Sequence, residues 1–158
     1  DLVIRYGRGQ YPGLQSELLL KEELTPVCSP ALLASGPPLK SLSDLRHHTL
    51  IHAEFPIDWV TWLRSAGITD IDARRGQRFQ SSVHAVQAAV QGQGIALGRS
   101  ALIADELRSG KLVRPFEVSL PTDLAYYIVY PPEHLKRRKV KAFRDWLLAE
   151  ASREETVQ

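Results

Sequence analysis

The chain has 158 residues, 44% hydrophobic and 24% charged, with 10 Gly and 10 Pro, which is ordinary globular composition and excludes disordered, collagen-like and coiled-coil classes. Twenty Lys+Arg against 18 Asp+Glu leave a net charge of +2, too weak a balance to mark a nucleic-acid-binding surface. No run approaches the ~18 apolar residues of a membrane span, and the single cysteine, Cys28, cannot close an internal disulfide, which fits a reducing compartment.

Asp1 to Tyr6 reads as a short buried strand, stopped by Gly7-Arg8-Gly9 and Pro12-Gly13. An apolar opening at Asp1-Leu2-Val3-Ile4 and the absence of Met lead us to expect a piece of a longer chain. Leu18 to Leu20 is apolar, and Leu24 to Cys28 is extended, with Pro26 at an edge or crossover position because it cannot donate to a ladder. Ser29-Pro30 caps a short helix that Gly36-Pro37 stops, and Ser41 to Leu45 adds a further helical turn before a strand from His48 to Ala53.

Asp58 caps a helix through Trp59, Trp62, Leu63 and Ala66, closed by Gly67. Arg74 to Phe79 reads as a modest strand. Ser81 or Ser82 then caps the clearest helix, where Val83, Val86, Ala89 and Val90 recur at helical spacing before Gly92-Gln-Gly94. Ile95 to Leu97 is a strand, and Ser100 is expected to cap a helix carrying Leu102, Ile103 and Leu107. Strands are expected over Leu112–Phe116 and Leu124–Val129. A final helix runs from about Glu133 to Glu150, with Val140, Phe143, Trp146 and Leu147 on one face. Strands alternating with capped helices predict an α/β fold with largely parallel sheets.

Catalytic signatures are weak. Gly98-Arg-Ser100-Ala-Leu102 resembles a nucleophile elbow, but leucine replaces the glycine that lets the elbow turn. Ser100 is therefore read as a cap, and Cys28, in an apolar strand, as a buried structural thiol. His47, His48 and His52 cluster in sequence, yet on a strand His48 and His52 stand about 13 Å apart, too far for one ion. No metal, cofactor or catalytic residue is expected. His52 and Glu54 share a strand face and are candidates for hydrogen bonding at a cleft edge. The glycines at 7–9 and 92–94 lack the third glycine of a phosphate loop and read as turns. Lys136 to Lys141 is the polar side of the final helix.

One feature favours a ligand. The strand ending at Phe79-Gln80 runs into the helix capped at Ser81-Ser82, and helix N-termini beyond strand carboxyl ends offer free N–H groups and partial positive charge.

These motifs together resemble the LysR-type transcriptional regulators. Asp1-Leu-Val-Ile-Arg-Tyr-Gly-Arg-Gly9 is similar to the family's opening strand and loop. Glu23 to Leu32, Ser41 to Leu45 followed by His48 to Ile51, and Ser82 to Leu97 match in order and spacing, as do Ser109 to Phe116 and Tyr126 to Pro131. The glycine-cleavage-activator group is the nearest in pattern. The resemblance implies the family's C-terminal effector-binding domain, a type II periplasmic-binding-protein-like fold of two α/β lobes joined by two crossover strands, with a small effector in the cleft between them. Residues 1–21 and 118–158 would form a partial first lobe, N-terminally truncated, and 22–117 the second, with crossovers over Glu17–Glu23 and Phe116–Leu124.

Carried over by position, the effector site falls on Tyr6, Gly7, His52, Glu54, Gln80, Ser81, Ser82, Arg99 and Tyr126. The resemblance further implies a bacterial cytoplasmic regulator that senses a small metabolite, such as an amino acid or a peptide-like cell-wall fragment. It would self-associate as a dimer or tetramer and bind DNA only through an N-terminal winged helix-turn-helix that these residues do not contain. A free-standing periplasmic-type solute-binding protein of the same fold is the second reading, which a secretory leader would favour.

Overall fold

A computed structural model describes residues 1–155. In chain order, strands β1 (Val3–Gly7), β2 (Gln15–Leu20) and β3 (Glu23–Val27) lead into helix α1 (Pro30–Ser35) and a 3-10 helix over Leu42–His47. Strand β4 (Leu50–Ala53), helix α2 (Trp59–Ser65), strand β5 (Arg78–Phe79) and helix α3 (Ser82–Val90) follow. Strand β6 (Ile95–Arg99), helix α4 (Ser100–Arg108), strands β7 (Leu120–Pro121) and β8 (Ala125–Tyr130), a second 3-10 helix over Pro132–Lys136 and helix α5 (Arg138–Glu155) complete the chain. Two compact units result: residues 1–22 with those from 122 onward, and residues 23–121.

In the first unit β8 lies between β1 and β2, antiparallel to both. Its central place buries Ile128, Val129 and Tyr130. The opening strand is not buried as expected. As an edge strand it leaves Val3 and Ile4 about half exposed, at 49% and 48%. The final helix also departs from expectation. Arg137 is extended, at ψ 116°, and the chain before it winds as a 3-10 turn after Pro131-Pro132, so the α-helix starts only at Arg138. Val140, Arg144, Leu147 and Ala151 form its inward stripe, whereas Phe143 and Trp146 stack on each other in solvent, 48% and 54% exposed.

The second unit carries a five-stranded sheet in the order β5-β4-β6-β3-β7. Parallel pairing is confined to β4 with its neighbours β5 and β6. The expectation of largely parallel sheets fails because β3 and β7, where the chain enters and leaves the unit, run against their partners. Pro26 sits opposite Leu97 in a stretch of β3 that β7 does not reach, where a missing N–H costs the ladder nothing on that side.

Alternation along the strands sends Leu50, Ile95 and Cys28 to one core and Ile51, Ala96 and Val27 to another. The first core is built on Trp59 and Trp62, packed edge to face at 5.8 Å. Each buried indole N–H is satisfied at 3.0 Å, Trp59 donating to the Ile51 carbonyl and Trp62 to that of Leu24, so both rings are buried without a desolvation penalty. The small residues Ala85, Ala88 and Ala89 seat α3 closely on the second core.

Three further expectations are corrected. Leu112–Phe116 makes only a bridge, with reciprocal bonds between Val113 and Cys28 at 2.9 and 3.1 Å, because Pro115 cannot extend the ladder. The strand expected from Arg74 shrinks to Arg78–Phe79, since Gly76 turns the chain at φ +122°. Ser100 is not a cap. Arg99 holds that position, and the Ser100 hydroxyl accepts the Glu23 N–H at 3.2 Å, a tertiary tie from α4 to β3.

Candidate functional site

Parallel β5, β4 and β6 end at the same edge of their sheet, where open α/β folds bind ligands. Three chain segments emerge there: Glu54-Phe55 after β4, Gln80-Ser81 before α3, and Arg99 at the junction of β6 and α4. They surround a shallow hollow lined by His52, Phe55, Asp58, Ser82, Leu97 and Arg99, floored by Trp59. It encloses about 20 Å³, the room of one water-sized group.

His52 is only 6% exposed. Its Nε2 donates to the Arg75 carbonyl at 2.9 Å, which fixes the tautomer because a carbonyl can only accept, and its backbone N–H donates to Gln77 at 2.8 Å. The Arg99 guanidinium carbon lies 4.8 Å above the Phe55 ring centroid, over an aromatic face. Ser81 spends its hydroxyl on the Val83 N–H at 3.3 Å as the cap of α3, which leaves Ser82, the first helical residue, in the hollow at the positive end of the helix. Asp58 caps α2 by accepting the Thr61 N–H at 2.8 Å. Burial would raise the Asp58 carboxyl, but the Thr61 bonds and the neighbouring His52 hold it below the usual carboxylate range.

Of the residues anticipated from sequence, His52, Ser82 and Arg99 come together in this hollow. Glu54 and Gln80 are exposed beside it, with the Glu54 backbone N–H donating to Phe79 at 3.1 Å. Tyr6, Gly7 and Tyr126 belong to the first unit, where Tyr6 and Tyr126 face each other across β1 and β8 with ring centroids 4.9 Å apart. Gly7 adjoins them, and a Cβ there would lie 2.7 Å from the Tyr11 hydroxyl. Phe55 and Asp58 also line the hollow and were not anticipated from sequence. The signal for them was an aromatic just past a strand end and a helix cap three residues later.

Residues 1–152 match the model of the LysR substrate binding domain. The chain belongs to that family. It is 42% identical over 155 residues to the glycine cleavage system transcriptional activator of Escherichia coli (strain K12), covering 98% of this chain and 51% of that protein. It is 32% identical over 153 residues to the HTH-type transcriptional activator AmpR of Pseudomonas aeruginosa, covering 96% and 50%. This LysR-family chain thus spans about half the length of these curated relatives. Among solved structures, the effector domain of AmpR of Pseudomonas aeruginosa superposes with a TM-score of 0.78 at 32% identity, covering 98% of this chain and 73% of that one. The AmpR effector binding domain of Citrobacter freundii, at 23% identity, shares the fold with the same TM-score. The architecture is the α/β, type II periplasmic-binding-protein-like fold of LysR effector-binding domains.

Proposed function

We propose that this chain is the sensing part of a bacterial DNA-binding transcriptional regulator, and that a small metabolite held at the hollow of the second unit controls transcription. The observation that carries the reading is the convergence of His52, Ser82 and Arg99 at the carboxyl edge of the parallel strands. An Arg placed over Phe55 and the positive start of α3 suit a carboxylate, while buried His52 and the Asp58 carboxylate suit the donors of an amino acid or a peptide-like fragment. DNA is contacted through a winged helix-turn-helix elsewhere in the whole protein, which acts in the cytoplasm as a dimer or tetramer. The effector shifts that assembly only by its differential affinity for two arrangements. No catalytic step is assigned to these residues, and no described helix is long and apolar enough to cross a membrane.

Calorimetric titration of the full chain with a panel of amino acids and muropeptide fragments tests this. A saturable ligand is expected, with Arg99→Gln weakening it about tenfold or more, the worth of a charge-assisted bond. Absence of any binding, or a ligand indifferent to R99Q, overturns the reading.

A further inference from the structure

A larger hollow lies at the opposite end of β4, where the strand begins. It encloses about 390 Å³, within the range of small-molecule sites, and none of the effector candidates lines it. Arg46, His47 and His48 come from the end of the 3-10 helix, and Asp70, Asp72 and Arg75 from the loop between α2 and β5.

The charges of this lining are matched in part. Arg46 and Asp70 pair at 2.6 Å and cancel. Arg75 and Asp72 enter no ion pair among the described residues, although only two residues separate them, and the Asp72 carboxylate accepts just the Arg74 N–H at 3.3 Å. His48 keeps a buried Nε2 with no hydrogen-bond partner among the described residues, a group that is ordinarily satisfied by a water or a ligand. One open guanidinium and one open carboxylate complement a molecule that carries both charges. A pure anion would meet Asp70 and Asp72, and a pure cation would meet Arg46 and Arg75.

The wall at Gly76 is closely packed on β4. Gly76 lies so close to β4 that a Cβ would stand 1.8 Å from the Leu50 carbonyl, and its φ of +122° admits little but glycine. The Arg75 carbonyl is tied to His52, the buried residue of the effector hollow. A ligand that moves the Arg75–Gly76 backbone therefore moves His52.

We infer that this hollow is a second ligand site for a small zwitterion, its carboxylate on Arg75 and its ammonium on Asp72, coupled to the effector hollow through the Arg75–His52 hydrogen bond. The test is calorimetry of the full chain bearing Arg99→Gln, which weakens the effector hollow, with L-alanine and L-leucine as probes and propionate and n-propylamine as one-charge controls. The amino acids are expected to bind and both controls to bind at least tenfold more weakly. Adding Arg75→Gln or Asp72→Asn, neither of which touches the backbone tie to His52, weakens the amino acids about tenfold or more. The His52 ring nitrogen resonances shift on saturation. Binding that survives both added substitutions, controls as tight as the amino acids, a silent His52, or no binding at all overturns the inference. A chain without R99Q that binds only through Arg99 supports the effector reading and overturns this one.

Discussion

Glu17→Gln probes the tie between sheet and helix in the first unit. Glu17 on β2 receives Arg144 of α5 in a fork, Nε to Oε1 at 2.9 Å and Nη2 to Oε2, and it also accepts the Tyr130 hydroxyl. Glutamine keeps the shape and an acceptor for Tyr130 but removes the charge and points an NH2 at the guanidinium. Charge-assisted bonds are worth about 1.5–3 kcal/mol each when dry. The two side chains here are about a quarter exposed, 25% and 26%, so screening leaves about 2 kcal/mol for the fork as a whole. That is about a 30-fold loss of amide protection in β2 and β8 at neutral pH, read by native-state hydrogen exchange.

The pH dependence supplies a second check. The Arg144 hydrogen bonds, opposed by burial and helped by Tyr130, hold the Glu17 carboxyl below its ordinary value of 4.5. A carboxyl lowered in the folded state contributes stability that is present above its unfolded value and lost as pH falls through the folded one. The gap between the parent and E17Q should therefore stay constant above about pH 5 and close progressively below about 4.5. Equal protection at neutral pH, or a gap that persists once Glu17 is protonated, refutes the reasoning.

Two more outcomes follow from the second unit. Gly98→Ala places a Cβ within 2.8–2.9 Å of Ile103 and Val27, branched core side chains with nowhere to retreat, and should lower stability in urea by about 1–3 kcal/mol; an unchanged midpoint would show that this core is looser than it is drawn. Burial pushes the Cys28 thiol up to about 11, so the folded chain should resist thiol reagents near pH 8 and react only when unfolded; rapid native-state labelling would contradict its place in the core.

Local signals read most of the elements correctly. Ser29-Pro30, Asp58 and Ser81 act as caps whose bonds involve only the next few residues, and Gly67 and Gly92 end turns at φ near +75°, so both are written in short stretches of sequence. The misses are tertiary. That β1 is an exposed edge depends on its lying beside β8, more than 100 residues away, and that Ser100 serves Glu23 depends on the packing of α4 against β3. Phe143 and Trp146 recur at helical spacing, but the inward face of α5 is chosen by the Arg144–Glu17 bond rather than by hydrophobicity alone. That His52, Ser82 and Arg99 would meet at one hollow was legible because strand ends and helix starts carry recognisable residues. The place of Phe55 and Asp58 there was not, because it comes from stacking and from the approach of α2 to the sheet edge.

The central claim is that the carboxyl edge of β4, β5 and β6 holds the effector, and backbone and side-chain resonance mapping tests it most directly. The full chain is titrated to saturation with the tightest ligand from the amino-acid and muropeptide panel. The account predicts that His52, Phe55, Ser82 and Arg99 shift most within the second unit, with weaker changes at Arg75 through its bond to His52. Saturable binding that leaves those four residues unmoved would contradict it.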